Sequence, residues 1–166
     1  MPNTVIYANL LPAIGIVSLM AFMRMNPLFD KKQNNLFFLS SLTILFMLIV
    51  ISVNYTVALT TFDKAWIIRR IASFLHFSFL CTVPIFLIRI LVNKKMNLLL
   101  YVPALINWII CASSMFVNLV FFFPENGGYE RGPLFAFLFL VTLFYIISLL
   151  ILSLKKRKER SFEVLF

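Results

Sequence analysis

Polar side chains are rare in this sequence, so those inside its apolar stretches are the first candidates for chemistry. One set consists of Asn107, Cys111, Ser114 and Asn118, spaced by four, three and four residues. In a helix this spacing places all four on one face. Such a face either hydrogen-bonds to neighbouring helices, with Asn54 as the expected partner, or lines a ligand cavity or hydrated path.

A second set consists of Arg69, Ser73 and His76, which follow a similar four-then-three spacing, with Arg70 adjacent. One interpretation of His76 is a neutral imidazole with a single hydrogen-bond partner; another is ligand sensing or a proton-linked switch. Because a guanidinium is costly at the centre of a bilayer, we expect Arg69 and Arg70 near the headgroups beside Trp66, where they can cap an external pocket.

Several classes of function have no support in the residues. No GxGxxG, GxxxxGK[ST] or HExxH motif occurs, and the single histidine has no second histidine to work with. The two cysteines, Cys81 and Cys111, fall inside apolar segments without metal-ligand spacing. The sequence therefore predicts neither an enzyme nor a bound metal or cofactor. Its net charge of +9 comes from short clusters between apolar runs, which does not indicate nucleic-acid binding.

The elements that must position these residues are membrane helices. Hydrophobic residues make up 62% of the 166-residue chain, with 20 Phe, and the mean hydropathy is +0.99. Residues 42 to 51 are apolar on all sides, unlike the alternating strands of a membrane barrel. The prediction is an all-α polytopic bundle of about five transmembrane helices. Their predicted bounds are Val5 to Met23, Leu36 to Leu59, Trp66 to Val92, Met96 to Phe123 and Pro133 to Leu154. Pro12, Pro84 and Pro103 lie inside these spans and should kink them.

Charge predicts the orientation and the domain organisation. With the N-terminus outside, eleven Lys and Arg residues lie on the cytoplasmic side and four on the other, which satisfies the positive-inside rule. The cytoplasmic residues are Arg24, Lys31, Lys32, Arg89, Lys94, Lys95, Lys155, Lys156, Arg157, Lys158 and Arg160; the others are Lys64, Arg69, Arg70 and Arg131. Residues 1–154 form the five-span domain. Residues 155–166 form a basic cytoplasmic helical extension that we interpret as the possible start of a continuation.

Four short segments carry a resemblance to a known family. They are Ile68-Arg69-Arg70-Ile71-Ala72-Ser73-Phe74, Pro84-Ile85-Phe86-Leu87-Ile88, Val102-Pro103-Ala104-Leu105-Ile106-Asn107 and Glu130-Arg131-Gly132-Pro133-Leu134. Together they resemble the N-terminal multi-helix membrane sensor region found ahead of GGDEF diguanylate cyclase domains, or of histidine kinases, in Gram-positive bacteria. The GGDEF motif itself is absent from these residues. The resemblance implies a multi-pass protein of the bacterial plasma membrane that passes a stimulus to a cytoplasmic output domain or signalling partner.

The functional hypothesis is therefore a sensory input module that responds to an unidentified small ligand, and homodimerisation is possible. The candidate ligand-binding or coupling residues are Arg69, Ser73, His76, Asn54, Asn107, Ser114 and Asn118. A small transporter or channel subunit, with the amide stripe lining its path, is the alternative. An accessory or immunity-type membrane protein without a small ligand is the third interpretation.

Overall fold

The computed structural model describes residues 3–26, 30–60, 64–92, 98–124 and 128–163, with side chains described between Ala8 and Lys156. The described residues are mainly helical, with turns between the helices and one short two-stranded ribbon. In chain order the elements are α1 (Asn3–Met25), α2 (Lys31–Ala58), α3 (Ala65–Phe79), α4 (Thr82–Leu91), a 3-10 turn (Leu98–Leu100), α5 (Val102–Ser113), β1 (Phe121–Phe122), β2 (Glu130–Arg131) and α6 (Phe135–Glu163).

Four of the predicted spans are confirmed as helices that are long and apolar enough to cross a membrane. They are Ala8–Met25, Lys31–Ala58, Ala65–Leu91, which comprises α3 and α4 in succession, and Phe135–Lys156. The all-α polytopic prediction is therefore correct, and the protein is a membrane protein. The last helix runs without interruption to Glu163, as the absence of Gly and Pro after Leu134 predicts.

Proline acts differently at the three predicted kinks. The third span is divided between Phe79 and Thr82, where α3 ends and α4 begins. Pro84 explains the break, since it has no N–H to donate to the Leu80 carbonyl four residues earlier. Pro12, in contrast, lies within the continuous helix α1. Pro103 occupies the first turn of α5, where a missing N–H costs little, so the prediction of an internal kink there is wrong.

The fourth predicted span is shorter than the sequence suggests. The apolar segment Leu98–Ser113 contains the 3-10 turn and α5, and it falls below the length of the four spanning helices. Met96 lies outside the described residues. A side chain explains the end of α5: Ser114 Oγ donates to the Ile110 carbonyl (3.0 Å) and accepts from the Val120 N–H (3.0 Å). The hydroxyl thus stabilises a turn in place of another helical turn.

After that turn the chain forms the ribbon. Strands β1 and β2 are antiparallel, with Phe121 opposite Arg131 and Phe122 opposite Glu130. Phe121 and Val120 are fully buried, and with Cys111 and Leu138 they form a core that joins α5, the ribbon and α6. The last residues of the predicted fourth helix, from Val120 to Phe123, are therefore packed beside the beginning of α6 as part of a ribbon and not as helix.

Helix α2 is the central packing element, because it contacts α1, α3 and α4. Helix α6 packs on α4 and α5. A second core of apolar residues lies between these last three helices, and it contains Cys81, Ile85, Ile88, Ala104, Val141 and Tyr145. Helix α1 contacts the rest of the bundle mainly through α2, where Asn9 Nδ2 donates to Ser52 Oγ (2.9 Å).

Basic residues from distant parts of the sequence share one end of the bundle. Lys31, Lys32 and Arg89 line one cleft, and Lys156 Nζ donates to the Leu91 carbonyl at the end of α4 (3.1 Å). Arg24 lies over the Phe38 ring near the beginning of α2. Lys94 and Lys95 lie outside the described residues, and the side chains after Lys156 are not described. The described side chains of Arg24, Lys31, Lys32, Arg89 and Lys156 therefore lie at the end of the bundle where α2 begins and α4 ends.

Candidate functional site

Three arginines lie at the opposite end of the bundle, where α3 and α6 begin, and each packs against an aromatic ring. We call them the arginine–aromatic cluster: Arg69 with Phe123, Arg70 with Trp66, and Arg131 with Phe135. The distances from guanidinium carbon to ring centre are 4.5, 5.5 and 4.8 Å in that order. These are attractive cation–π contacts, each worth about 0.5–2 kcal/mol. They let basic side chains lie on apolar surface beside the bilayer.

Arg70 connects α3 to the turn after α5. Its Nη1 donates to the Met115 carbonyl (3.1 Å) and its Nη2 donates to Asn118 Oδ1 (3.0 Å). Asn118 is exposed and lies beyond the end of α5, so the prediction of a buried Asn118 on the same helix face as Asn107 is wrong. Asn118 instead joins the arginine–aromatic cluster.

Two backbone hydrogen bonds join the chain after α5 to the residues directly before α6. The Gly132 N–H donates to the Val120 carbonyl (2.8 Å), and the Leu134 N–H donates to the Leu119 carbonyl (2.8 Å). A Cβ at Gly132 would collide with the backbone of Leu119 and Asn118, so the chain can approach this closely only with glycine. The turn that carries Asn118 is therefore held close to the beginning of α6.

Phe77 extends this contact into the bundle. Its ring lies 5.7 Å from the ring of Phe121 in β1 and 5.7 Å from the ring of Phe135, the first residue of α6. The Phe77 carbonyl accepts from Asn107 Nδ2 (3.1 Å). Helix α3 is therefore joined to α5 and to α6 around a single residue.

The stripe predicted along the fourth span is correct over its first three members and fails at the fourth. Asn107, Cys111 and Ser114 are all fully buried. Asn54, the expected partner of the stripe, bonds elsewhere, since its Nδ2 donates to Ser73 Oγ (3.4 Å) between α2 and α3. The buried amide of Asn107 joins α5 to the α3 backbone, which is the interhelical role.

His76 is half-buried on α3, and its ring contacts the ring of Phe77 (5.2 Å). Its Nδ1 is buried without a hydrogen-bond partner among the described residues, and Asn107 Oδ1 and Asn54 Oδ1 share that condition. Any hydrogen bond of the imidazole to the described residues must therefore use Nε2.

Tyr145 is a functional candidate that the sequence reasoning missed. It is fully buried at the middle of the spanning part of α6, where its hydroxyl donates to the Leu100 carbonyl (2.6 Å) and accepts from the Ala104 N–H (3.0 Å). The hydroxyl thus binds an otherwise unpaired N–H in the first turn of α5. The sequence did contain a signal for this residue, namely a tyrosine within an apolar helix. A tyrosine hydroxyl that is buried there needs a hydrogen-bond partner from another element.

The predicted site residues therefore do not form a single pocket. Arg69 and Asn118 belong to the arginine–aromatic cluster, Asn54 and Ser73 join α2 to α3, and Asn107 joins α5 to α3. Ser114 shapes the turn. These residues have in common that they lie where one helix or turn contacts another. Among the described residues, no group of three or more His, Cys, Asp or Glu side chains could hold a metal ion.

Outside the spans, Tyr129 packs beside Phe123 at the edge of the cluster (ring centres 5.6 Å apart). Burial raises the pKa of the Tyr129 hydroxyl above its ordinary value of 10.0, and the charge of Arg131 partly opposes that rise. Asp63 and Glu125, which are possible acidic partners for the arginines, lie outside the described residues, and Glu130 is exposed.

Comparisons with family models, characterised proteins and solved structures found no match. The fold and the contacts above are therefore the basis for any functional conclusion.

Proposed function

We propose that this chain is the membrane-embedded sensory input module of a bacterial signal-transduction receptor in the plasma membrane. The observation that carries the proposal is α6, a continuous helix from Phe135 to Glu163. Its first residue, Phe135, belongs to the arginine–aromatic cluster, and its last two turns lie beyond the apolar part that is long enough to cross a membrane, which ends at Lys156. In the proposed function, this one continuous helix would connect the cluster with the other side of the membrane.

The proposed orientation has the cluster outside and the C-terminal end of α6 in the cytoplasm. The described basic side chains of Arg24, Lys31, Lys32, Arg89 and Lys156 gather at the end assigned to the cytoplasm. This agrees with the positive-inside rule. A stimulus outside the cell would then meet Arg69, Arg70, Arg131 and Asn118.

The proposed mechanism is a change between two packings of α6 against its neighbours. A ligand or membrane property that alters the contacts of Arg70 would move the turn at Met115 and Asn118, which is hydrogen-bonded to the beginning of α6. Tyr145 links the middle of α6 to the start of α5, so α5 and α6 would shift together. An uninterrupted helix transmits such a shift to a cytoplasmic output domain or partner.

The transporter alternative has weaker geometric support. It requires an amide stripe along one helix, but Asn118 lies beyond the end of α5. Asn107 is fully buried and donates to the α3 backbone. A buried amide that bonds to a neighbouring helix stabilises the packing of the two helices, whereas a residue lining a hydrated path would face water.

The proposal is tested by fusing the chain to a diguanylate cyclase domain after Glu163 and measuring cyclic di-GMP synthesis in membrane vesicles. Arg70→Gln removes the guanidinium contacts to Met115 and Asn118, so it should change the rate of the fusion. Lys64→Gln is the matched control, because Lys64 is exposed at the same end of the bundle. Equal rates for wild type, Arg70→Gln and Lys64→Gln would contradict the proposal.

A further inference from the structure

A basic cleft lies at the end of the bundle opposite the arginine–aromatic cluster. It is open to the outside and has a volume of about 440 Å³ between the beginning of α2 and the end of α4. Its lining residues are Lys31, Lys32, Asn35, Leu36 and Arg89. Arg89 lies in the last turn of α4, whereas both lysines lie in the first turn of α2. Two helices therefore bring three positive charges to one cleft.

The lysines occupy an electrostatically unfavourable position. The N-terminus of a helix carries partial positive charge, so cations in its first turn are disfavoured and anions are favoured. The first turn of α2 contains no acidic residue. Asp30 precedes it as the N-cap, and its Oδ1 accepts from the Gln33 N–H (2.7 Å). Among the described residues here, one carboxylate caps α2 while three cations line the cleft, which leaves a positive excess for a bound anion to offset.

Below the cleft, the same face of α2 is apolar and open. Leu39, Leu42 and Phe46 follow Asn35 at four, seven and eleven residues, which keeps them on its side of the helix. Their side chains are 43%, 47% and 38% exposed. A polar, positively charged cleft therefore continues into a surface suited to hydrocarbon.

We propose that the cleft binds the phosphate of an anionic phospholipid whose acyl chains lie along this face of α2. Arg89 can bind two phosphate oxygens, the lysines supply mobile ammonium groups, and Asn35 supplies an amide donor. Asn35 also lines a smaller cavity of about 200 Å³ with Arg24, Asn34 and Phe38, so the polar surface extends to the end of α1. The inference requires only a membrane protein and does not depend on a receptor function.

The test uses the full chain purified in detergent micelles that contain phosphatidylglycerol and phosphatidylcholine. Native mass spectrometry then measures which lipid stays bound to the protein. Lys31→Gln and Arg89→Gln should each weaken phosphatidylglycerol retention about fivefold, the effect of one charge at a membrane surface. Lys31→Arg should retain the lipid. Lys155→Gln is the matched control, since it removes an exposed charge from α6 near the same end without lining the cleft. Far-ultraviolet circular dichroism verifies that each variant is folded.

Three results would overturn the proposal. Wild-type retention by both Lys31→Gln and Arg89→Gln would show that the cleft does not hold the lipid. An equal loss in Lys155→Gln would show a general effect of surface charge. Displacement of phosphatidylglycerol by soluble glycerol 3-phosphate would show that the site takes a free phosphate ester and not a lipid headgroup.

Discussion

Replacing Tyr145 with phenylalanine deletes a single hydroxyl that joins α6 to α5. The hydroxyl donates to the Leu100 carbonyl at 2.6 Å and accepts from the Ala104 N–H at 3.0 Å. Tyr145 is fully buried, so the ring itself remains packed in the substituted protein. The change therefore separates the two hydrogen bonds from the hydrophobic contribution of the side chain.

The magnitude follows from the number of bonds and their burial. Hydrogen bonds between membrane helices average about 0.6 kcal/mol and reach about 1.7 kcal/mol. The substitution removes two, and it leaves the Ala104 N–H near the middle of the bundle without its partner. We expect Tyr145→Phe to lower the free energy of unfolding by about 1–3 kcal/mol.

The assay is unfolding of the purified chain by sodium dodecyl sulfate in mixed micelles, followed by far-ultraviolet circular dichroism. Tyr55→Phe is the matched control, because it deletes the same hydroxyl from a side chain that is 36% exposed. Its unfolding free energy should stay close to that of the wild type. If the two variants lose equal stability, the assigned link between α5 and α6 is wrong.

Three further predictions use the same preparation. Asn107→Leu should lower the unfolding free energy by about 0.6–2 kcal/mol, because it removes the hydrogen bond from α5 to the α3 backbone. Leu105→Ala, at a side chain of α5 that is 63% exposed, should lower it less. Gly132→Ala should lose about 1–3 kcal/mol by collision with the backbone of Asn118 and Leu119 before β1, whereas Gly15→Ala, with open space around it, should be neutral or stabilising; the reverse order would contradict the close approach at Gly132. Tyr129 should ionise above pH 10.0, measured as the absorbance difference from Tyr129→Phe. Because its folded pKa is raised, its contribution to stability persists below pH 10.0 and falls as pH rises through the raised value.

Hydrophobic length was sufficient to predict four of the spans, since a helix that crosses a bilayer leaves a long apolar run. The break before α4 was also predictable, because Pro84 cannot donate to the Leu80 carbonyl. Pro103 shows the limit of that rule: its effect depends on where α5 begins, and the beginning is fixed partly by Tyr145, which is distant in sequence.

The end of the fourth predicted span could not be derived from hydropathy. Residues 116–123 are almost entirely apolar, and apolar composition does not distinguish a buried helix from a buried turn and strand. Their structure depends on β1 pairing with Glu130 and Arg131 and on the Ser114 hydroxyl binding the Val120 N–H. Both contacts need tertiary proximity, which a periodicity argument does not contain.

The sequence was sufficient to pick out some residues of the candidate site, but it did not predict which residues they contact. Arg69 and Arg70 stood out because charge beside a membrane span is costly, and Trp66 was the expected neighbour. The partners Phe123, Met115 and Asn118 follow from the turn after α5, so they depend on the part of the fold that the sequence did not determine.

The central claim is that α6 carries a change at the arginine–aromatic cluster to the cytoplasmic side. It is tested most directly in the cyclase fusion by replacing Ser153, Leu154 and Lys155, all exposed, with three glycines or with three alanines. Chain length and helical phase stay constant, while the glycines weaken the helix by about 3 kcal/mol relative to the alanines. We predict that Arg70→Gln changes cyclic di-GMP synthesis in the alanine fusion and has no effect in the glycine fusion. An Arg70→Gln effect of equal size in both fusions, or in neither, would contradict the account.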